Sequence, residues 1–242
     1  MFRDREEAGR LLAAALLERH LSRPVVLALP RGGVPVAAEV ARALHAPLDL
    51  LLVRKIGAPH QPELAVAAVA EGTPPSVVVD EETLSMSGAD HAYVARVANE
   101  QLAEIERRRR VYLRGAAREP LAGRTVVVVD DGLATGSTMR AALQVVWRQS
   151  PARVVLAVPV APAETVRQME RSVDDLVCLR QPEFFGGVGA HYEDFHQVGD
   201  DEVIAALDAA RSGAASAPMP LTGAAAPRRD AQAALAALRH RR

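Results

Sequence analysis

Residues Val126 to Thr138 read VVVVDDGLATGST, and this stretch decides the expected fold of the chain. Four consecutive β-branched residues need apolar surroundings on both faces, which is typical of a strand inside a parallel sheet. Asp130 and Asp131 follow at its carboxyl end, where open α/β sheets place ligands. The small residues after them turn into a helix whose free backbone N–H groups favour a phosphate. The stretch therefore predicts a ligand site at the edge of the sheet.

The phosphate cradle of this predicted site comprises five residues, Ala134, Thr135, Gly136, Ser137 and Thr138. Its glycine lets the backbone approach an anion closely, and its three hydroxyl groups can donate hydrogen bonds. Carboxylates next to a phosphate would repel it, so Asp130 and Asp131 need a different task. We expect them to accept hydrogen bonds from vicinal sugar hydroxyls, with Mg²⁺ nearby. An ordinary strand, Asp-Gly turn and capped helix is the alternative interpretation.

The order of apolar strand, two acids and a small-residue loop with Thr-Gly resembles the signature of type I phosphoribosyltransferases. It is neither a Walker A loop nor a dinucleotide fingerprint, because no Gly-Lys-Ser/Thr follows and no GxGxxG is present. The resemblance implies Mg²⁺-dependent transfer of 5-phosphoribose from 5-phosphoribosyl-1-pyrophosphate (PRPP) to a nitrogenous acceptor such as a nucleobase, with release of pyrophosphate. It also implies a homodimer and a place in nucleotide metabolism. A PRPP-binding regulatory protein without catalysis is the alternative.

A second anion site is expected directly after the first predicted strand, at PRGG. The resemblance maps the pyrophosphate loop of the family onto Arg31, Gly32 and Gly33, where a guanidinium can bind phosphate in a bidentate manner. Lys55 is the one lysine among 29 lysine and arginine residues. It matches a basic residue that contacts pyrophosphate in several family members, and Arg54 is the next candidate. A Pro-Gly turn and a surface lysine kept by chance are the plain alternatives.

A flexible loop closes over the site in family members, and its counterpart is expected between about residues 70 and 114. The four arginines 107 to 110 at the end of this segment are candidates to reach pyrophosphate on closure. Cations that complement the dipole of a helix end are an equally good explanation.

Strand-like and helix-like segments alternate along the chain. The predicted strands span residues 25–29, 48–53, 76–80, 125–130, 153–158 and 175–179. The predicted helices span residues 3–20, 34–44, 90–113, 135–149, 163–172 and 201–211. This alternation predicts an α/β fold with a doubly wound, mostly parallel sheet and right-handed crossovers. Residues 76–80 are expected as a third or an edge strand.

Residues 181–199 contain four of the eight aromatic residues of the chain, and the resemblance implies that they form the small C-terminal hood that covers the acceptor in type I enzymes. Phe185 and Tyr192 are the candidates to stack on the acceptor. Ala134 stands where enzymes acting on 6-oxopurines usually carry an aspartate, which argues against hypoxanthine and guanine. The predicted domain spans residues 1–211, and the Ala/Pro/Arg-rich residues 212–242 are predicted to be a disordered tail.

Composition limits the partners of the chain. Its net charge of −1 and its pI of about 6.7 give no general attraction to nucleic acid or to a membrane surface. A single cysteine, Cys178, excludes an intrachain disulfide framework and suits a reducing cytoplasm. No apolar run reaches the roughly 18 residues of a membrane span. These features predict a cytoplasmic protein whose partners are small molecules.

Overall fold

A computed structural model describes residues 1–70 and 75–215 of the 242-residue chain. These residues form a five-stranded parallel sheet, a three-stranded antiparallel sheet and the helices that cover them. The predicted disordered tail comprises residues 212–242. Residues 212–215 belong to the last helix, and residues 216–242 lie outside the described part. Within the described ranges, no helix is both long and apolar enough to cross a membrane.

The parallel sheet has the strand order β2-β1-β6-β7-β8. Its strands are β1 (Pro24–Ala28), β2 (Leu48–Leu50), β6 (Thr125–Val129), β7 (Arg153–Val160) and β8 (Asp175–Arg180). The β-branched run of the signature forms β6, the central strand, which is buried along its whole length. All four neighbouring pairs are parallel, so the carboxyl ends of the strands share one edge. The chain has its predicted α/β class.

Both faces of the parallel sheet are covered by helices. Val127 and Val129 of β6 belong to one apolar cluster, to which α1 (Arg5–Leu17), α2 (Gly33–Ala43), α4 (His91–Leu113) and α7 (Asp200–Ala215) contribute. Val126 and Val128 belong to a second cluster, with α5 (Ser137–Trp147) and α6 (Ala163–Met169). Because successive strand residues point to opposite faces, four valines in a row can serve both clusters. The doubly wound arrangement is confirmed.

The second sheet contains β3 (Val53–Ala58), β4 (Gln61–Ala70) and β5 (Ser76–Val79) in that order. The prediction of one strand over residues 48–53 is wrong, because parallel pairing ends at Leu50 and Val53 already pairs with Ala70 of β4. Strand β4 was not predicted. Residues 76–79 do form a strand, but they pair with β4 and not with the parallel sheet.

The counterpart of the family's closing loop is expected between about residues 70 and 114, and the predicted helix over residues 90–113 of this segment is confirmed for the described residues from 75 onward. They form β5, α3 (Glu81–Ser87) and α4. Asp80 and Asp90 cap the two helices by accepting hydrogen bonds from the backbone N–H groups of Thr83 and Tyr93. The buried apolar residues of α4 belong to the apolar cluster that contains Val127 and Val129, so this helix packs against the core.

Candidate functional site

The two aspartates of the signature lie at the carboxyl edge of β6. The carboxylate Oδ1 of Asp130 accepts a hydrogen bond from the backbone N–H of Asp131 at 2.9 Å. Burial raises the pKa of Asp130 well above its ordinary value, and the neighbouring Asp131 carboxylate raises it further. Burial also raises the pKa of Asp131, although a nearby arginine opposes that shift. The edge therefore holds two carboxyl groups that are partly withdrawn from water.

The PRGG loop packs directly against these aspartates. A Cβ atom on Gly32 would lie 2.1 Å from Oδ2 of Asp131, and one on Gly33 would lie 2.9 Å from the Cα of Asp130. The peptide bond between Pro30 and Arg31 is cis. The two glycines fit this contact because they have no side chain, whereas the side chain of a larger residue would overlap the aspartates. The structure thus brings the loop after β1 and the acids after β6 together.

The small-residue loop after the acids turns at Gly136, whose φ of 69° lies in the left-handed region and which caps α5. The hydroxyl of Thr165 in α6 donates a hydrogen bond to the Ala134 carbonyl at 2.6 Å. The hydroxyls of Thr135 and Ser137 lie 3.3 Å apart. The loop is therefore fixed from α6, and its hydroxyl groups gather at the amino end of α5.

Arg31 is held by a contact that the sequence did not predict. Its Nη1 atom lies 3.6 Å from Oδ1 of Asp200, the first residue of α7, and the same oxygen accepts the Tyr112 hydroxyl at 2.7 Å. Burial and the Asp200 carboxylate raise the pKa of Tyr112, so its hydroxyl remains a donor. Asp200 and Tyr112 belong to helices far along the chain from Arg31, and no local pattern links them to it.

Arg54 lies beside the PRGG loop. It lines a small hollow together with Pro30 and Thr138, which belong to the two predicted anion loops. Its Nε atom donates a hydrogen bond to Oε1 of Gln101 in α4 at 2.8 Å. Arg54 therefore lies near residues of both the PRGG loop and the small-residue loop.

Lys55, the next residue, faces the other side of the second sheet, because successive residues of a strand alternate. It is opposite Ala68 in the ladder of β3 and β4, so the two side chains share a face. Ala68 lines a hollow of about 410 Å³ with Thr135 and Ser137. Lys55 and Arg54 are therefore on opposite faces of β3.

Of the four arginines at positions 107 to 110, Arg108 alone lines the hollow that Arg54 and Pro30 share. Its Nε atom bonds to Glu104 at 2.7 Å. Arg107 bonds to the same carboxylate, and the two arginines lower the pKa of Glu104 to about 2. Arg110 is three-quarters exposed and lies 3.4 Å from Glu106. Because the block winds around a helix, its members point in different directions, and Arg108 is the one that lies near the PRGG loop here. That these arginines reach pyrophosphate on closure stays a prediction.

The hood region, residues 181–199, contains a short 3₁₀ helix at Val188–His191. The half-buried Phe185 ring stacks on His191 with centroids 5.4 Å apart. Tyr192 is only 5% exposed, packs on Phe2 and donates its hydroxyl to the Asp131 carbonyl at 2.6 Å. The expectation that Tyr192 stacks on an acceptor does not fit this structure, because its ring has no open face. Tyr192 instead ties the hood to the signature.

Arg5 is a site residue that the sequence did not reveal. It begins α1, is 7% exposed, and its Nε atom donates to Oδ2 of Asp131 at 2.8 Å. Its Nη1 atom donates to the His196 carbonyl at 2.9 Å, and its guanidinium lies 3.9 Å from the Phe195 ring centroid. The two members of the ion pair are 126 positions apart in sequence, so local patterns could not pair them.

Side chains suited to binding a metal ion are dispersed in this structure. No cluster of three or more His, Cys, Asp and Glu side chains that could hold one occurs among residues 1–70 and 75–215. His191 and His196 do not come together, since one stacks on Phe185 and the other bonds to Asp194 and Glu202.

The fold and the site define a class of α/β proteins in which an acid pair lies between two glycine-containing loops at the carboxyl edge of a parallel sheet. The chain belongs to the phosphoribosyl transferase domain family, because the model of that family matches residues 3–193.

Relatives support this assignment. The chain is 47% identical over 210 residues to the Mycobacterium tuberculosis protein named "Putative phosphoribosyl transferase Rv0571c". The match covers 87% of this chain and 47% of that protein, so the chain spans about half the length of the curated relatives it matches. The crystal structure of TT1426 from Thermus thermophilus is similar with a TM-score of 0.78 and 48% identity, covering 86% of this chain and 97% of that one.

Proposed function

We propose that this chain transfers 5-phosphoribose from PRPP to a nitrogenous acceptor and releases pyrophosphate. One observation carries the proposal: Gly32 of the PRGG loop lies so close to Asp131 that a Cβ would come within 2.1 Å of its carboxylate. A donor with an anionic group at each end and a diol between them needs two anion loops that flank an acid pair. Membership of the phosphoribosyl transferase domain family supports the same substrate.

Each part of PRPP has a proposed place at the edge of the sheet. Residues 134–138 would bind the 5′-phosphate through backbone N–H groups and hydroxyls. Asp130 and Asp131 would accept hydrogen bonds from the ribose hydroxyls. Arg31, Gly32 and Gly33 would bind pyrophosphate, together with Arg54 on the same side. Lys55 was expected to contact pyrophosphate, but in this proposal it is a cation that approaches the bound donor from the face that it shares with Ala68.

The reaction breaks the bond between the ribose C1′ and a pyrophosphate oxygen and forms a bond between C1′ and a nitrogen of the acceptor. The electrons of the breaking bond leave with pyrophosphate, and positive charge develops at the ribose. Arg31 and Arg54 would stabilise the departing negative charge, while the acid pair holds the ribose in position. Water must be excluded during this step, because PRPP would otherwise be hydrolysed.

The acid pair also fits Mg²⁺, the ion that the family uses with PRPP. The side-chain hydrogen bonds of the acid pair involve Oδ1 of Asp130 and Oδ2 of Asp131, and carboxylate oxygens are the hard ligands that Mg²⁺ prefers. We propose that Mg²⁺ is held mainly by PRPP oxygens, next to Asp130 and Asp131. When bound, it supplies positive charge that lowers the cost of releasing pyrophosphate.

The acceptor is proposed to bind beneath the hood, next to Phe185. A cytoplasmic homodimer that acts in nucleotide metabolism accords with the resemblance to type I enzymes and with the single cysteine. The domain that performs the transfer is proposed to span residues 1–211, and α7 extends it to Ala215.

Pyrophosphate release tests the proposal. Wild-type protein with PRPP and Mg²⁺ is incubated with a panel of nitrogenous acceptors, and the same panel is given to an Asp130→Asn, Asp131→Asn double variant. We expect acceptor-dependent release by the wild type and a loss of about a hundredfold or more in the double variant, which removes both charged acceptors. Asp208→Asn, which removes a carboxylate from the middle of α7, is the matched control and should keep full activity.

PRPP binding without release across the panel would overturn transfer and leave a PRPP-binding regulator. Equal turnover by the double variant and the wild type would overturn the site itself.

A further inference from the structure

The placement of Arg5 is unfavourable for a helix on its own. It is the first residue of α1, where the positive end of the helix dipole disfavours a cation and where Glu6 and Glu7 are the expected residue types. A guanidinium that is 7% exposed must also have lost most of its water. Its position is therefore explained by contacts outside the helix.

Those contacts join three parts of the molecule. The Nε atom of Arg5 bonds to Asp131 in the signature, and the Nη1 atom bonds to the carbonyl of His196 in the hood. The Phe195 ring covers the guanidinium at 3.9 Å. The planar guanidinium of arginine can donate hydrogen bonds in two directions while it stacks on an aromatic ring. The ammonium group of lysine cannot.

One consequence concerns the shape of the acid pair. Oδ2 of Asp131 is the atom that meets Arg5 and also the atom nearest to the position that a Cβ on Gly32 would take. The ion pair therefore fixes which carboxylate oxygen faces the PRGG loop and leaves Oδ1 for a ligand. Without Arg5, the Asp131 carboxylate would be a buried negative charge with no cation beside it. The carboxylate would then be free to rotate.

We propose that Arg5 is a positioning residue that holds the carboxylate of Asp131 in the orientation that binds the ribose of PRPP, so that the N-terminal helix completes the donor site. The inference rests on the proposed function. Arg5 does not touch the reacting atoms, and its effect passes through Asp131.

The experiment compares ligands that occupy different ends of the site. Binding of PRPP, ribose 5-phosphate and inorganic pyrophosphate is measured by calorimetry for the wild type and Arg5→Gln. We expect Arg5→Gln to weaken PRPP and ribose 5-phosphate by about tenfold, the typical effect of losing one charged hydrogen bond, and to leave pyrophosphate unchanged. Arg5→Lys keeps the charge but cannot make both hydrogen bonds. Its affinity for PRPP and ribose 5-phosphate should therefore lie between those of the wild type and Arg5→Gln. Arg3→Gln removes an exposed arginine just before α1 and is the matched control.

A double-mutant cycle with Asp131→Asn tests whether Arg5 acts through this carboxylate. If it does, Arg5→Gln has no further effect on PRPP affinity once Asp131 is replaced. Equal weakening of all three ligands would show a general loss of structure and overturn the positioning role, as would additive effects in the cycle. Failure of the wild type to bind PRPP would instead count against the proposed function. Thermal unfolding of each variant identifies any that fail to fold.

Discussion

The carboxyl edge of the parallel sheet and the hood are built by different kinds of contact. At the edge, the backbone of the PRGG loop approaches the aspartates so closely that only glycine fits, and β6 is paired with a strand on each side. The hood is joined to the N-terminal residues Phe2 and Arg3 by backbone hydrogen bonds, but its links to the signature run through the side chains of Arg5 and Tyr192. The donor side is therefore fixed by close glycine packing, whereas the contacts between the hood and the signature can change with a few substitutions.

The largest effect should come from adding a single methyl group at the edge. Gly32→Ala places a Cβ within 2.1 Å of the Asp131 carboxylate, so the Asp131 side chain or the PRGG loop must shift. We expect PRPP affinity to fall by about tenfold or more, since either shift disturbs the arrangement of the loop and the acid pair. Calorimetry with PRPP provides the measurement.

The hood supplies the control for that change. A Cβ on Gly186 would meet only Ala190, at an ordinary 3.6 Å, so Gly186→Ala should bind PRPP as the wild type does. Equal loss in the two variants would remove the distinction between a rigid donor edge and an adaptable hood.

An intermediate effect should separate the two neighbouring cations. Arg54 lies next to Pro30, and Lys55 lies on the opposite face of β3. We therefore expect Arg54→Gln to lower the affinity for inorganic pyrophosphate by several-fold to about tenfold. Lys55→Gln should lower the affinity for pyrophosphate less than the affinity for PRPP. Competition of pyrophosphate against PRPP measures both. A larger loss of pyrophosphate affinity for Lys55→Gln would reverse the assignment and restore the order expected from the sequence.

The smallest effect on donor binding should come from the hood aromatics. Tyr192→Phe removes one hydrogen bond to the Asp131 carbonyl and should lower the free energy of unfolding by about 1 kcal/mol, with PRPP affinity nearly unchanged. Phe185→Leu should raise the KM for the acceptor and leave PRPP affinity intact. Urea unfolding and steady-state kinetics give the two quantities. A stable Tyr192→Phe protein with an altered acceptor KM would show that Tyr192 does contact the acceptor.

Local patterns were sufficient for the central part of the fold. The valine run, the acid pair and the glycine of the turn are contiguous in sequence, and each has the conformation that its residue types favour. The end of β2 was missed because the apolar run from Leu48 continues to Val53 with no glycine or proline to mark the change of sheet. Periodicity alone could not show that Val53 pairs with Ala70.

The parts of the site that sequence could not reveal depend on distant pairs. Asp200 holds Arg31, and Arg5 holds Asp131, across long stretches of chain. Aspartate in the first turn of a helix is an ordinary pattern, and an arginine at a helix start, although unfavourable for the helix dipole, does not reveal which distant residue it pairs with. Their roles emerge when α1 and α7 pack at the same edge of the sheet as the signature.

A crystal structure with PRPP and Mg²⁺ is the decisive measurement for the proposed donor site. We expect PRPP at the carboxyl edge of the parallel sheet, with its 5′-phosphate on residues 134–138, its pyrophosphate on the PRGG loop and its ribose hydroxyls bonded to Asp130 and Asp131. PRPP bound elsewhere, or bound at this edge without contact to the two aspartates, would contradict the assignment.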